Sequence, residues 1–254
     1  DDSSPQLWED GETGIIDNNA YLVMKYIDGI SLKDLIEQNQ SIESDLSLNL
    51  VKGMASALNY IHSKGIIHRD IKPANILIEK ETNRIYLADF GIARPISSKT
   101  LTQTGMLIGT PYYISPEQIK NGTADKRSDI YALGTTLYEM ISGNPIFKCE
   151  TPIETLYKHV NETPRPISTI NPNITMEMKH IVEKCLKKDP QDRFQNANEI
   201  LDVIEEGETK KISRIYEDRK SNPLKSKPLI FGLLFIVLVL AVVGIQFFYP
   251  QLFK

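Results

Sequence analysis

Hydrophobic residues recur with a helical period through much of the chain, most clearly in the segment 44–64. Five apolar residues of this segment fall on one helical face: Leu50, Val51, Met54, Leu58 and Ile61. Gly65 follows directly, and a glycine after an amphipathic stretch is typical of a helix end. The segment is therefore predicted to be a helix that packs one face into a domain core.

Further segments have patterns typical of helices and are separated by polar turns: 126–142, 152–161, 175–187 and 196–206. Ser31 and Asp34 have the spacing of a helix N-cap, which predicts a short helix from there to about Gln38. Helices are thus expected to be the main secondary structure of the chain up to residue 206.

Short apolar runs predict a few strands near the start and middle of the chain. They lie at Leu7–Trp8, Tyr21–Ile27, Asn75–Glu79 and Ile85–Ala88. Residues 91–125 have no regular period, and irregular stretches of this length are usually functional.

Residues 229–245 form an unbroken apolar run, and aromatic residues follow it up to Tyr249. At about 1.5 Å per residue, a helix over 228–249 would cross the roughly 30 Å of a bilayer. Seven lysines and arginines lie between 210 and 227, whereas only Lys254 follows the run. This asymmetry predicts a single-pass protein of the cell membrane with its N-terminal domain in the cytoplasm. Residues 207–227 are then a basic juxtamembrane linker, and 250–254 a short extracytoplasmic tail.

Composition narrows the class of protein only a little. The chain has 41% hydrophobic and 24% charged residues, which are ordinary globular values. A net charge of −4 gives no reason to expect nucleic acid as a partner. The two cysteines lack a C-x-x-C spacing and are most simply reduced thiols.

Candidate chemistry is concentrated in residues 68–75, with the sequence HRDIKPAN, and in residues 89–91, with the sequence DFG. Asp70, Asn75 and Asp89 supply oxygen ligands at strand ends, and such ligands suit Mg²⁺ together with phosphate oxygens. Lys72 adds a cation that could neutralise phosphate charge. This combination is what phosphoryl transfer requires.

These motifs, with Ser115-Pro116-Glu117 after them, resemble in order and spacing the protein-kinase signatures H-R-D-L-x-x-x-N, D-F-G and A-P-E. Residues 1–206 are similar to eukaryotic-type Ser/Thr protein kinases, and most of all to the bacterial membrane-anchored receptor-like ones. The resemblance implies an α+β, protein-kinase-like fold. Residues 31–206 would form the mainly helical C-lobe, and 1–30 a remnant of the N-lobe sheet with the hinge, followed by the transmembrane helix.

The resemblance also implies residue roles and two cofactors, ATP and Mg²⁺. Asp70 would orient the substrate hydroxyl, Lys72 would contact the γ-phosphate, and Asn75 and Asp89 would hold the metal. For the nucleotide base it implies a gatekeeper at Met24, hinge residues at Tyr26 and Ile27, and a pocket floor at Leu77.

The irregular stretch resembles a kinase activation segment over residues 89–117. Thr102 or Thr104 is expected to be phosphorylated and to pair with Arg69, because an arginine binds phosphate bidentately. Thr110 would line the pocket for the substrate serine. As structural support, Glu117 would pair with Arg193, and Asp129 would hold the catalytic loop from beneath.

A complete kinase also has a G-x-G-x-x-G loop and a V-A-I-K lysine, and neither motif occurs in these 254 residues. Two hypotheses remain. The chain is a fragment of a Ser/Thr kinase that phosphorylates proteins, with a possible homodimer for autophosphorylation, or it is a non-catalytic, membrane-tethered kinase-like binding module. Retention of Asp70, Lys72, Asn75 and Asp89 favours the first.

Overall fold

The computed structural model describes residues 13–16, 19–39, 42, 44–90 and 111–221. Its strands are β1 (Thr13–Ile16), β2 (Asn19–Leu22), β3 (Gly29–Ser31), β4 (Ile76–Glu79) and β5 (Ile85–Leu87). Its α-helices are α1 (Leu32–Asn39), α2 (Ser44–Ser63), α3 (Pro116–Asn121), α4 (Lys126–Ser142), α5 (Pro152–Asn161), α6 (Met176–Cys185) and α7 (Asn198–Ser221). Single 3₁₀ turns lie at Pro73–Asn75, Pro111–Tyr113, Ile167–Thr169 and Pro190–Asp192.

The strands of the described residues form two small antiparallel sheets. β1 and β2 form a hairpin, and β4 lies between β3 and β5 in the other sheet. Gly29 opens β3 where the backbones approach closely, since a Cβ at this position would lie 2.0 Å from the carbonyl oxygen of Ile78. The sheet passes directly into α1, whose start is fixed by the predicted cap: Ser31 Oγ donates to Asp34 at 2.7 Å and accepts from its N–H.

Helix α4 forms the centre of the domain and is buried on nearly all its faces. It contacts α2, α1 and α6, and α2 in turn packs against β5. Gly134 allows α6 to approach, because a Cβ there would lie 2.6 Å from Cβ of Cys185. The helix begins after a capping box at Asp125 and ends before Gly143, which has a left-handed conformation. Both ends lie at the predicted residues.

Three predictions about local structure are wrong. The strand expected at Tyr21–Ile27 is Asn19–Leu22, and residues 23–26 after it are exposed, so their apolar character does not reflect a sheet. Within the irregular stretch lies α3, a six-residue helix fixed by a capping box of Ser115 and Gln118. The last helix, expected to end at 206, continues to Ser221, because Gly207 does not break it.

Several predictions fall on residues outside the described ranges. They include Thr102, Thr104, Thr110 and the apolar segment 228–249. Within the ranges that are described, no helix has the length and hydrophobicity needed to cross a membrane.

Candidate active site

The loop at 68–70 is fixed by the side chain of Asp129 in the first turn of α4. Asp129 Oδ2 accepts the backbone N–H of His68 at 2.8 Å, and Oδ1 accepts that of Arg69 at 2.8 Å. Arg69 has φ +66°, a left-handed conformation that is costly for a residue with a side chain. The carboxylate thus holds the backbone in a conformation that the sequence alone would not favour.

The Asp70 carboxylate is held by two neighbours on the same loop. Lys72 Nζ lies 2.8 Å from Asp70 Oδ2, and Asn75 Nδ2 donates to the same oxygen at 3.0 Å. Both donors follow within five residues, because the 3₁₀ turn at Pro73–Asn75 folds the chain back toward Asp70. Three residues of the sequence motif are therefore brought into contact.

Asn75 also connects this loop to the segment that carries Asp89. Its Nδ2 donates to the carbonyl oxygens of Asp70 at 2.9 Å and Asp89 at 3.5 Å, and its own carbonyl accepts Ala88 N–H. All three side-chain contacts use the amide nitrogen, which turns the amide oxygen elsewhere. Asp89 is exposed and has φ +56°.

Asn75 and Asp89 suit Mg²⁺ by the chemistry of their donors, since hard cations prefer oxygen ligands. Among the described residues, no group of three or more His, Cys, Asp or Glu side chains could hold a metal ion. A cation at Asn75 and Asp89 would therefore depend on phosphate oxygens and water for its other ligands, as Mg²⁺ sites commonly do.

His68 links the two motifs from the interior. Its ring is fully buried and stacks on Phe90, with centroids 4.6 Å apart. Burial lowers the pKa of His68, although Asp129 and Asp70 act in the opposite direction. The imidazole is therefore a neutral packing group near pH 7.

The predicted base-binding residues lie on and beside the sheet. Met24 and Tyr26 are 60% and 83% exposed, and Ile27 is half-buried. Leu77 lies on β4, opposite Ser31 of β3 and Tyr86 of β5. Lys25 places its ammonium 5.6 Å from the centre of the Tyr86 ring, which ties this segment to the sheet.

Glu117 and Arg193 form a buried bidentate ion pair. Arg193 Nη1 and Nη2 donate to the two carboxylate oxygens at 2.9 and 2.8 Å. The remaining donors bind the carbonyls of Arg127, Lys187 and Lys188, so every N–H of the guanidinium has an acceptor. Burial alone would raise the pKa of Glu117, but hydrogen bonds from Arg193 and Ser128 outweigh it and lower that pKa.

Sequence reasoning missed two contacts of helix α4. His62 Nε2 lies 2.8 Å from Asp129 Oδ2, across 67 residues of sequence. Tyr113 donates its hydroxyl to Glu139 at 2.7 Å, and burial raises the pKa of that carboxyl. Neither pair has a local sequence signal, because each depends on how α4 packs.

Comparison with known proteins agrees with this geometry. The family model described as "Protein kinase domain" matches residues 6–203. The chain belongs to the protein kinase family. The predictions of a kinase-like fold and family are thereby confirmed.

Among curated proteins, the chain is 38% identical over 213 residues to the serine/threonine-protein kinase PknB of Mycolicibacterium smegmatis, covering 82% of this chain and 34% of that protein. It is 42% identical over 203 residues to the probable serine/threonine-protein kinase SCO3848 of Streptomyces coelicolor, covering 78% and 30% respectively. The chain thus spans about a third of the length of these relatives.

Solved structures share the fold. The crystal structure of the Mycobacterium tuberculosis PknI kinase domain matches with a TM-score of 0.60 and 27% identity, over 77% of this chain and 69% of that one. The structure of Rad53 1-466 in complex with AMP-PNP matches with a TM-score of 0.63 and 26% identity, over 75% and 47%.

Proposed function

We propose that this chain supplies the catalytic lobe of an ATP-dependent protein serine/threonine kinase. The observation that carries the proposal is the Asp70 carboxylate, which Lys72 and Asn75 contact on a loop held by Asp129. Phosphoryl transfer needs positioned charge and little covalent work by the protein, and this arrangement provides positioned charge.

The residues would divide the work as follows. Asp70 accepts the hydrogen bond of a protein Ser or Thr hydroxyl and orients it, a role that contributes about 10²–10⁴-fold in general acid–base catalysis. Lys72 offsets charge on the transferred phosphoryl group. Asn75 and Asp89 hold Mg²⁺, which when bound neutralises charge on the ATP phosphates.

The test is phosphorylation of a protein substrate by a polypeptide that contains these residues together with a kinase small lobe. Asp70→Asn and Asp89→Asn should each abolish transfer and leave the fold intact, because size is kept and charge is lost. Asp192→Asn, the same change at an exposed position outside the site, should retain activity. Wild-type turnover in either site variant would contradict the mechanism.

The same assay decides between the kinase and the non-catalytic kinase-like binding module. The module is favoured by one observation: neither the glycine-rich loop nor the V-A-I-K lysine occurs in the 254 residues. Residues 1–227 alone should therefore bind ATP weakly and have at most trace activity, since nothing positions the α- and β-phosphates. If transfer stays absent with a small lobe supplied, the module is the better description.

We also propose that residues 228–249 anchor the chain in the cell membrane, with the kinase lobe in the cytoplasm. The length of the apolar run and the excess of basic residues before it support this arrangement. Deleting 228–254 should move the protein from the membrane pellet to the soluble fraction. A truncated chain that still pellets would contradict the anchor.

Thr102 and Thr104 are proposed as the activating phosphorylation sites, with Arg69 as the phosphate ligand and a homodimer as the route to autophosphorylation. Arg69 is exposed and lies directly before Asp70, which supports this role. Replacing both threonines by alanine should lower activity in part, because the change removes an ordering switch and spares the chemistry. Mass spectrometry that finds no phosphate at either site would contradict the proposal.

A further inference from the structure

A buried histidine contacts the carboxylate that holds the loop at 68–70. His62 lies in the last turn of α2, its side chain is only 6% exposed, and its Nε2 lies 2.8 Å from Oδ2 of Asp129. Asp129 lies in the first turn of α4, and its side chain is 1% exposed. The contact therefore joins two helices at a place to which water has almost no access.

Three donors bind the two oxygens of the Asp129 carboxylate. Oδ2 accepts the backbone N–H of His68 and Oδ1 accepts that of Arg69, each at 2.8 Å. Since both oxygens already accept backbone N–H groups, the ring N–H of His62 is the donor in the third contact. The two backbone donors belong to the loop, whereas His62 belongs to α2. The histidine thus ties the carboxylate to an element outside the loop and α4.

The other ring nitrogen of His62 makes the histidine costly as a mere packing group. Nδ1 is buried and has no hydrogen-bond partner among the residues that the structure describes. An unpaired buried polar atom is destabilising, and an apolar side chain of similar size would avoid that cost. Positions that break a local rule in this way are expected at functional sites. The donor that Nε2 offers to Asp129 is what an apolar residue could not provide.

The loop that Asp129 holds carries backbone strain directly before Asp70. Arg69 has φ +66°, and such a conformation persists in a residue with a side chain only where surrounding contacts impose it. The N–H of Asp70 also lies 3.4 Å from Nδ1 of His68, so the three loop residues are coupled. A carboxylate that tilts would release Arg69 toward an ordinary conformation, and Asp70 would move with it. A shift of about 1 Å in a reacting group can cost about 10²-fold in rate.

We propose that His62 is a positioning residue for phosphoryl transfer and acts through Asp129 on the loop that carries Asp70. Its N–H fixes the orientation of the Asp129 carboxylate, the carboxylate holds Arg69 in its left-handed conformation, and Arg69 places Asp70. The inference rests on the proposed kinase function, in which Asp70 orients the substrate hydroxyl. His62 itself touches neither substrate nor nucleotide in this mechanism, so loss of its donor should lower kcat and leave KM for ATP nearly unchanged.

Glutamine and asparagine at position 62 give a matched pair of variants. Both carry the same neutral amide, but glutamine places its amide nitrogen as many bonds from Cα as Nε2 of histidine, whereas asparagine is one bond shorter. His62→Gln can therefore still donate to Asp129, and His62→Asn cannot reach it. His62→Met fills the same space without any donor and should behave as the Asn variant does. His180→Asn, at an exposed histidine of α6, controls for the substitution itself.

The first measurement is steady-state kinetics of a polypeptide that contains the chain together with a kinase small lobe. His62→Asn and His62→Met should each lower kcat at least tenfold, with KM for ATP within twofold of the wild-type value. His62→Gln should retain kcat within threefold, and His180→Asn should change neither constant more than twofold. Urea denaturation verifies that each variant is folded under the assay conditions. Equal kcat values in the Gln and Asn variants would overturn the proposal.

Amide hydrogen exchange in the full chain tests the same contacts without any phosphate transfer. In His62→Asn the amide protons of His68 and Arg69 should exchange at least tenfold faster than in the wild type, because opening of the loop becomes easier. The amide proton of Ala88, which donates to the carbonyl of Asn75 at 2.9 Å, should change less than twofold. Equal acceleration at Ala88 would assign His62 to overall stability and overturn the proposal. Absence of transfer by the wild type with a small lobe would contradict the kinase function instead, and the exchange rates would still decide whether His62 positions the loop.

Discussion

Arg193 and Lys188 are neighbouring cations beside the same tyrosine ring, yet their charges are compensated by different groups. The guanidinium carbon of Arg193 lies 4.8 Å, and Lys188 Nζ 5.8 Å, from the centre of the Tyr131 ring. Arg193 is bound bidentately by the carboxylate of Glu117, whereas Lys188 donates to the carbonyls of His159 and Lys158 at 2.7 and 3.4 Å. A full negative charge compensates the buried guanidinium, while carbonyl dipoles compensate the ammonium only in part.

The consequence for Lys188 is a lowered pKa. Burial, reinforced by the charge of Arg193, lowers the pKa of Lys188 to about 8. His159, beside it, is fully buried, and burial together with Lys188 lowers its pKa to about 3. The Glu117–Arg193 pair, called the charged anchor below, is held in its charged form. In the Lys188–His159 group, burial favours the neutral form of both side chains. Burial beside a second cation, without a carboxylate partner, thus lowers the pKa of a lysine.

Removing one member of the Glu117–Arg193 pair should have the largest effect on stability. Arg193→Ala leaves the Glu117 carboxylate half-buried without its partner and frees three backbone carbonyls. We expect the free energy of unfolding to fall by about 3–5 kcal/mol, the usual cost of breaking a buried pair. Urea denaturation measures it. Arg84→Ala, at a half-buried arginine outside this cluster, serves as the control, and an equally large loss there would contradict the assignment.

The second prediction concerns the effect of the buried His159 on stability at acid pH. Because the pKa of His159 is lowered from 6.5 to about 3, the unfolded chain binds a proton in this range that the folded chain does not. Stability should therefore fall as the pH drops below about 6.5, with a slope from this residue of at most about 1.4 kcal/mol per pH unit. His159→Phe keeps an aromatic ring against Phe147 and should remove that slope. The test is the difference between the two stability curves from pH 7 to 4, and identical slopes would contradict it.

Short-range sequence patterns predicted much of the fold that surrounds the Glu117–Arg193 pair and the Lys188–His159 group. Both ends of α4 were predictable because Asp125 and Gly143 bound it, and α1 because Ser31 caps it. Helix α3 was missed because six residues contain too few turns to show a period. The part of the apolar run after Leu22 was misassigned to a strand, since its exposed residues are hydrophobic without packing in a sheet.

The candidate site was predictable where its residues are close in sequence. Asp70, Lys72 and Asn75 lie within six positions, and their motif gave the chemistry before any contact was known. By contrast, His62 and Asp129 are 67 residues apart, and Lys188 meets His159 across 29. Such pairs depend on helix packing, so no local pattern in a single sequence indicates them.

Lys188 is expected to have a smaller effect on stability, at alkaline pH. The folded chain releases the proton of Lys188 near pH 8, before the unfolded chain does so near pH 10.5, so stability should rise as the pH increases between these values. Lys188→Met keeps the length of the side chain and should remove this rise. Thermal unfolding between pH 7 and 10 measures it, and an unchanged rise in the variant would assign the effect to another group.

The smallest effect should come from an exposed pair with the same chemistry as the charged anchor. Lys210 and Glu206 are one turn apart on α7, with 3.4 Å between Nζ and Oε2, and their side chains are 68% and 71% exposed. Water already solvates both charges, so their attraction replaces little hydration, and such pairs contribute about 0.3–0.5 kcal/mol. Lys210→Ala should therefore shift the free energy of unfolding by no more than about 0.5 kcal/mol, and the shift should shrink further in high salt because exposed charges are screened. Urea denaturation at low and high salt measures both expectations. A loss that approaches that of Arg193→Ala would mean that burial of the carboxylate is not what makes the Glu117–Arg193 pair costly to break.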